Sequence, residues 1–196
     1  KTPFHPRSAY GISKVTGHDL TRNYREAYNL YCCTGILFNH ESPRRGFEFV
    51  TRKITHSVAR IKFGLQKELK LGNMEAKRDW GHAEDYVHAM WKILNHKAPD
   101  DFVIATNFKI KIKDFIKMAC DQLDIRLKWK GKGLDEKGYD QHGNCIIEVD
   151  QRYFRPLEVE NLQGDYSKAK KILKWKPKKN IKQLVEEMID YEIKNN

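Results

Sequence analysis

Apolar residues recur along this chain in two rhythms that alternate. Between residues 49 and 63, Val50, Ile54, Val58 and Ile61 fall at helical spacing, so one face of a helix is apolar. By contrast, residues 31–38 (Tyr-Cys-Cys-Thr-Gly-Ile-Leu-Phe) and 101–105 (Asp-Phe-Val-Ile-Ala) are short and mostly apolar throughout, as strands buried on both faces of a parallel sheet are. Further helices are expected over 8–28, with Ser8 as cap, and over 84–94, 114–123, 167–173 and 181–193. Short strands are expected over 69–71 and 125–130. Gly72-Asn73 reads as a turn, 39–46 as a polar loop, and 131–143, rich in Gly, Lys and Asp, as a loop or insertion. Helices alternating with apolar strands place the chain in the α/β class. A complete Rossmann half needs a first strand, a glycine-rich turn and a helix that takes a pyrophosphate. This sequence contains none of these; Gly131-Lys132-Gly133 has no helix start behind it.

At 196 residues with 40% hydrophobic content, the chain can form one domain or pieces of two. No apolar run approaches the roughly 20 residues of a membrane span. The first residues, Lys-Thr-Pro-Phe-His-Pro, read neither as a signal peptide nor as an initiator segment, so the expectation is a chain that begins inside something larger. Four cysteines show no Cys-x-x-Cys spacing, and the histidines show no metal-ligand pattern. Reduced thiols in a cytoplasmic protein, with no metal, are the expectation. A net charge of +11 raises nucleic acid as a partner, but the lysines are spread over nearly every segment rather than gathered in a stripe. No nucleic-acid or membrane partner is therefore expected.

Candidate chemistry concentrates in Ser8-Ala9-Tyr10-Gly11-Ile12-Ser13-Lys14. A Tyr and a Lys four apart at the start of a helix share one face, about one turn apart. A free tyrosine, with a pKa of about 10, is a poor base at neutral pH. Lowering such a pKa by about three units requires roughly 4 kcal/mol of preference for the phenolate. A fixed positive charge near 4 Å, at an effective dielectric of about 20, supplies energy of that order. Such a pair can take the proton of an alcohol that loses hydride to a nicotinamide. Alone the spacing is weak, since it also occurs by chance on solvated helix faces.

The rest of the chain adds longer motifs. Together with Tyr10 and Lys14, residues 37–46 (Leu-Phe-Asn-His-Glu-Ser-Pro-Arg-Arg-Gly) resemble the extended short-chain dehydrogenase/reductases and, more narrowly, the GDP-mannose 4,6-dehydratase family. So do 49–55 (Phe-Val-Thr-Arg-Lys-Ile-Thr), 71–74 (Leu-Gly-Asn-Met), 77–82 (Lys-Arg-Asp-Trp-Gly-His) and 152–159 (Arg-Tyr-Phe-Arg-Pro-Leu-Glu-Val). The likeness covers essentially the whole chain, in order, and is to the last half of the family's enzymes.

That resemblance implies an incomplete NAD(P)-binding Rossmann-like unit plus a smaller α/β substrate-binding domain. Residues 1–38 and 80–107 would be the remaining part of the nucleotide-binding domain, and 39–79 and 108–196 the GDP-sugar domain. Tyr10 matches the family's base, and Lys14 the lysine that lowers its pKa and holds the nicotinamide ribose. His40 and Arg45 match contacts to NADP; a guanidinium suits a phosphate. Asn39, Lys53, Gly72, Asn73, Arg78, Tyr153, Arg155 and Glu158 fall where the family binds GDP-mannose. Asn73 reads equally well as a turn residue. Trp80 and Trp175 read as core, and Phe154 is undecided.

The implied reaction is an internal redox cycle that yields GDP-4-keto-6-deoxymannose. Tyrosine takes the C4 hydroxyl proton as hydride leaves C4 for NADP, water is lost across C5 and C6, and the hydride returns at C6. The family's Thr and Glu for the C5 and C6 steps lie before the Tyr-x-x-x-Lys segment, so the isolated chain is expected to be inactive. In the whole protein a homo-oligomer is expected. Gln151, where the family usually has Pro, implies a loosened loop. The competing readings are a GDP-sugar-binding module without catalysis and, further off, a basic nucleic-acid-binding protein. Apolar strands left without sheet neighbours imply poor solubility.

Overall fold

The computed structural model describes residues 2–154 and 159–195. The chain runs α1 (Ala9–Tyr28), β1 (Thr34–Leu37), β2 (Asn39–Glu41), α2 (Val50–Lys62), β3 (Leu69–Leu71), β4 (Lys77–Arg78), β5 (Trp80–His82) and α3 (Ala83–Leu94). It continues through β6 (Asp101–Ile104), β7 (Ile110–Lys111), α4 (Ile112–Asp121), β8 (Lys128–Lys130), β9 (Lys137–Tyr139), β10 (Cys145–Val149), α5 (Ser167–Leu173) and α6 (Ile181–Asn195).

Two hydrophobic cores organise these elements. In the larger, α2, α4 and α6 pack on one another and on a four-stranded sheet of order β3-β10-β9-β8. Ile54 and Val58, read from periodicity as the inner face of α2, are fully buried there beside Phe115, Ile116, Val185 and Ile147. Trp80 joins this core edge-on to Phe115, with ring centroids 5.1 Å apart. In the smaller core, Tyr86, Ala89 and Ile93 of α3 meet Phe102 and Ile104 of β6 and Ala169, Leu173 and Trp175. Both tryptophans expected in the core are there.

Strands β1 and β6 pair in parallel, from Thr34 opposite Asp101 to Leu37 opposite Ile104. Among the described residues this sheet has two strands. Helix α1 begins where Ser8 Oγ accepts a hydrogen bond from the Gly11 N–H at 3.0 Å, and ends at Asn29 in a left-handed conformation. None of its 20 residues is buried. What moors it is Arg25, whose guanidinium donates twice to Asp101, at 2.9 and 2.7 Å, and once to the Cys32 carbonyl.

Several expectations need correction. The polar loop at 39–46 opens with strand β2, paired in parallel with β5 from Asn39 opposite Trp80 to Glu41 opposite His82. It is three polar residues long and is held by its pairing with β5, so periodicity could not reveal it. The segment 131–143 contains a 3-10 turn (Gly133–Asp135) and strand β9. Gly138 in β9 lets Ile147 and Trp129 close in; a Cβ there would stand 3.1 Å from each. The strand expected over 125–130 is confined to β8, and β10 was not anticipated. Near Gln151 the chain forms a 3-10 turn (Gln151–Tyr153), closed by Asp150 accepting from the Arg152 N–H and pairing with its guanidinium at 2.7 Å.

Candidate active site

Tyr10 and Lys14 lie in the first turns of α1, just inside the Ser8 cap. The helix places them on one face as their spacing requires: Lys14 Nζ lies 5.0 Å from the Tyr10 ring centroid. The tyrosine is 72% exposed, so its phenol is open to a ligand.

A second group is set by β2 and the loop behind it. His40 Nδ1 lies 2.9 Å from the Phe38 carbonyl oxygen, which can only accept, so Nδ1 carries the hydrogen. In the neutral ring that leaves Nε2 as an acceptor. Tyr86 stacks on the imidazole, with centroids 4.9 Å apart and an interplanar angle of 26°. Tyr86 is completely buried, and its hydroxyl has no hydrogen-bond partner among the described residues. Burial, with Asp79 and Glu41 nearby, pushes that phenol far above its ordinary pKa. Gly81 makes the arrangement possible, because a Cβ there would come within 2.4 Å of the Tyr86 ring. Asn39, half-buried, begins the same strand.

Arg45 follows a turn closed by its own N–H on the Ser42 carbonyl. Its guanidinium carbon lies 3.5 Å from the Phe49 ring centroid, and its Nε 3.2 Å from Glu41 Oε2. Glu41 is only 1% exposed and accepts a 2.6 Å hydrogen bond from Thr51 Oγ1 of α2. Burial pushes this carboxyl up, against the opposing pull of Thr51 and Arg45.

A third group gathers around Tyr153. Lys53, on α2, holds its Nζ 3.7 Å from the Tyr153 ring centroid. Gly72, after β3, abuts the same residue: a Cβ there would stand 2.3 Å from the Tyr153 carbonyl oxygen. Asn73 Oδ1 accepts from the Glu75 N–H at 2.9 Å, which makes it a turn-forming residue in this structure. Arg78 Nη1 donates to the carbonyls of Lys77 and Val159, at 2.9 and 2.5 Å. Arg155 and Glu158 themselves lie outside the described residues. Phe154 is partly exposed.

The structure thus brings Lys53, Gly72 and Tyr153 into direct contact and sets Asn39, His40 and Arg45 within one short stretch. Tyr10 and Lys14 meet each other. Sequence reasoning overlooked the supporting groups: Glu41, Thr51 and Phe49 behind Arg45, and Tyr86 behind His40. It also overlooked Asp79, fully buried, which accepts from the N–H and hydroxyl of Thr106 and from the Gly164 N–H. That one carboxylate ties the β4–β5 joint to the ends of two other segments. The signal was present in Glu41 and Arg45, a carboxylate and a guanidinium four apart, but their meeting depends on the turn between them.

A family model described as GDP-mannose 4,6 dehydratase matches residues 1–188. The chain is 50% identical over 192 residues to GDP-mannose 4,6 dehydratase 2 of Caenorhabditis elegans, covering 98% of this chain and 50% of that one. It is 53% identical over 192 residues to GDP-mannose 4,6 dehydratase 2 of Arabidopsis thaliana, covering 98% and 47%. It therefore spans about half the length of the curated relatives it matches. Among solved structures, RMD from Pseudomonas aeruginosa complexed with NADPH superposes with a TM-score of 0.79 at 21% identity, over 97% of this chain and 57% of that one. A dTDP-glucose 4,6-dehydratase from Bacillus anthracis in complex with NAD gives 0.78 at 21% identity, over 100% and 55%. These likenesses establish the fold: a partial Rossmann-like unit joined to a second α/β unit, which in this chain carries the larger core.

Proposed function

Since this chain belongs to the GDP-mannose 4,6 dehydratase family, we propose that it is the C-terminal portion of a lyase that converts GDP-mannose to GDP-4-keto-6-deoxymannose. The observation that carries the proposal is the Lys14 ammonium set over the face of an open Tyr10 at the capped start of α1. Tyr10 Oη receives the proton of the sugar's C4 hydroxyl, and Lys14 stabilises the phenolate form that receives it. The chemistry that a bound NADP would supply is reversible hydride transfer. His40, with Nε2 left free to accept, and Arg45, with a guanidinium suited to phosphate, have the chemistry to hold such a dinucleotide. Asn39, Lys53, Gly72, Asn73, Arg78 and Tyr153, with Arg155 and Glu158, bind the GDP-sugar; a lysine and two arginines match its diphosphate. Residues 1–38 and 80–107 are the remaining part of the dinucleotide-binding domain, and 39–79 with 108–196 form the sugar-nucleotide domain, from which His40 and Arg45 also reach the dinucleotide. The whole protein works in the cytoplasm as a homo-oligomer, and this chain alone does not turn over.

Isothermal titration of the chain with GDP-mannose, GDP and UDP-glucose tests the reading. Binding of the two guanosine ligands and not of UDP-glucose is expected, with Arg78→Ala weakening it about tenfold or more, as loss of a charged hydrogen-bonding partner does. A well-folded chain that binds none of them overturns the substrate assignment.

A further inference from the structure

A carboxylate taken out of water is costly unless it is paired and hydrogen-bonded. Glu41 is such a carboxylate, and both of the groups that compensate it converge on Oε2: Thr51 Oγ1 at 2.6 Å and Arg45 Nε at 3.2 Å. Nε is itself shut off from solvent and makes no hydrogen bond among the described residues, so its tie to Glu41 is the ion pair alone. Phe49 covers one face of the guanidinium. A guanidinium is planar with its donors in a fixed fork. Fixing Nε inward and one face against a ring therefore leaves the Nη end as the part that can meet a ligand. We propose that Glu41 is a positioning residue, holding Arg45 through Nε so that its Nη groups are presented, already oriented, to a phosphate-bearing ligand. The proposal rests on the reading of Arg45 as a phosphate contact. The physical gain is preorganisation, because a long, rotamer-rich side chain that is already held loses less freedom on binding.

The test uses the whole 196-residue chain, with GDP at saturation to occupy the sugar-nucleotide site. Inorganic pyrophosphate is titrated at low ionic strength and followed at the Arg45 side-chain Nε–H resonance. In the wild type this signal is expected to shift saturably. In Glu41→Gln, which keeps the shape and still accepts from Thr51, the affinity read at the same resonance should fall about tenfold. The thermal melt should stay close to that of the wild type, so that the loss is one of positioning rather than of folding. An equal affinity in Glu41→Gln overturns the positioning role and leaves Arg45 as a phosphate contact. A wild-type Arg45 signal indifferent to pyrophosphate overturns the reading of Arg45, and the proposal with it. Should Glu41→Gln fail to fold, Thr51→Val removes the hydrogen bond that fixes Glu41, and the same tenfold criterion applies to it.

Discussion

A single methyl group at position 72 would stand 2.3 Å from the carbonyl oxygen of Tyr153 and 2.8 Å from its carbonyl carbon. Both atoms are backbone and cannot swing aside, so Gly72→Ala has to push the Gln151–Tyr153 turn away from β3. That overpacking should cost roughly 1–3 kcal/mol, seen as a lower melting temperature. It should also part Tyr153 from Lys53 and weaken GDP binding, and the variant melting and binding as the wild type does would show that the turn yields freely. The same few residues show what a sequence can say at this scale. Gly72 and Asn73 read as a turn from their types alone, and Asn73 is one, by its bond to the Glu75 N–H. Why position 72 must be glycine was invisible, because the obstacle arrives from a residue about eighty positions away. Lys53 against Tyr153, and Tyr86 against His40, escaped for the same reason. Residue type suggests chemistry, but the neighbour that orients it comes from the fold.

Helix α1 illustrates the next scale: a long element legible from its cap and pattern, yet with no buried residue to hold it. Its anchor is electrostatic. The Arg25 guanidinium, donating to both oxygens of Asp101, holds that carboxyl down at about 2, from an ordinary 3.8. A carboxyl depressed in the folded state contributes stability that is complete above its ordinary pKa and disappears as pH falls towards the depressed one. The mooring of α1 should therefore weaken between about pH 4 and pH 2. Amide exchange in residues 9–28 should accelerate through that window before exchange in α2 and α4 does. Asp101→Asn should show faster exchange in α1 already at pH 7 and little further change on acidification, and a wild-type helix α1 equally protected at pH 5 and pH 2.5 would remove the pair from this role. Two of the elements that sequence missed are of another kind. Strands β2 and β9 are three residues long, carry polar or glycine residues, and exist because β5 and β10 pair with them. No local rhythm encodes a partner of that sort, whereas α2, with four apolar positions at helical spacing, declares its inner face without one.

At the scale of the whole molecule the two cores differ in what encloses them. The larger is closed by three helices and four strands. The smaller rests on a sheet that, among the described residues, has two strands and two unpaired edges, next to a helix whose Leu20, Tyr24 and Tyr28 are at least half exposed. Leu20, Tyr24 and Tyr28 recur every four residues and so share one face of α1. An apolar stripe beside open parallel strands seeks cover, and with no other partner in solution another copy of the chain supplies it. A net charge of +11 opposes that association, so screening should promote it. Sedimentation velocity should accordingly show species larger than the monomer that increase with protein concentration and with salt. Replacing Leu20 and Tyr24 by lysine puts charge on the stripe without touching either core, and should return the chain to a monomer with its larger core melting unchanged. A wild-type chain that stays monomeric at high concentration and high salt would mean that the exposed face of α1 is wetted without penalty. If instead the lysine variant associates as the wild type does, the sticky surface is the sheet edge at β1 or β6 and not the helix.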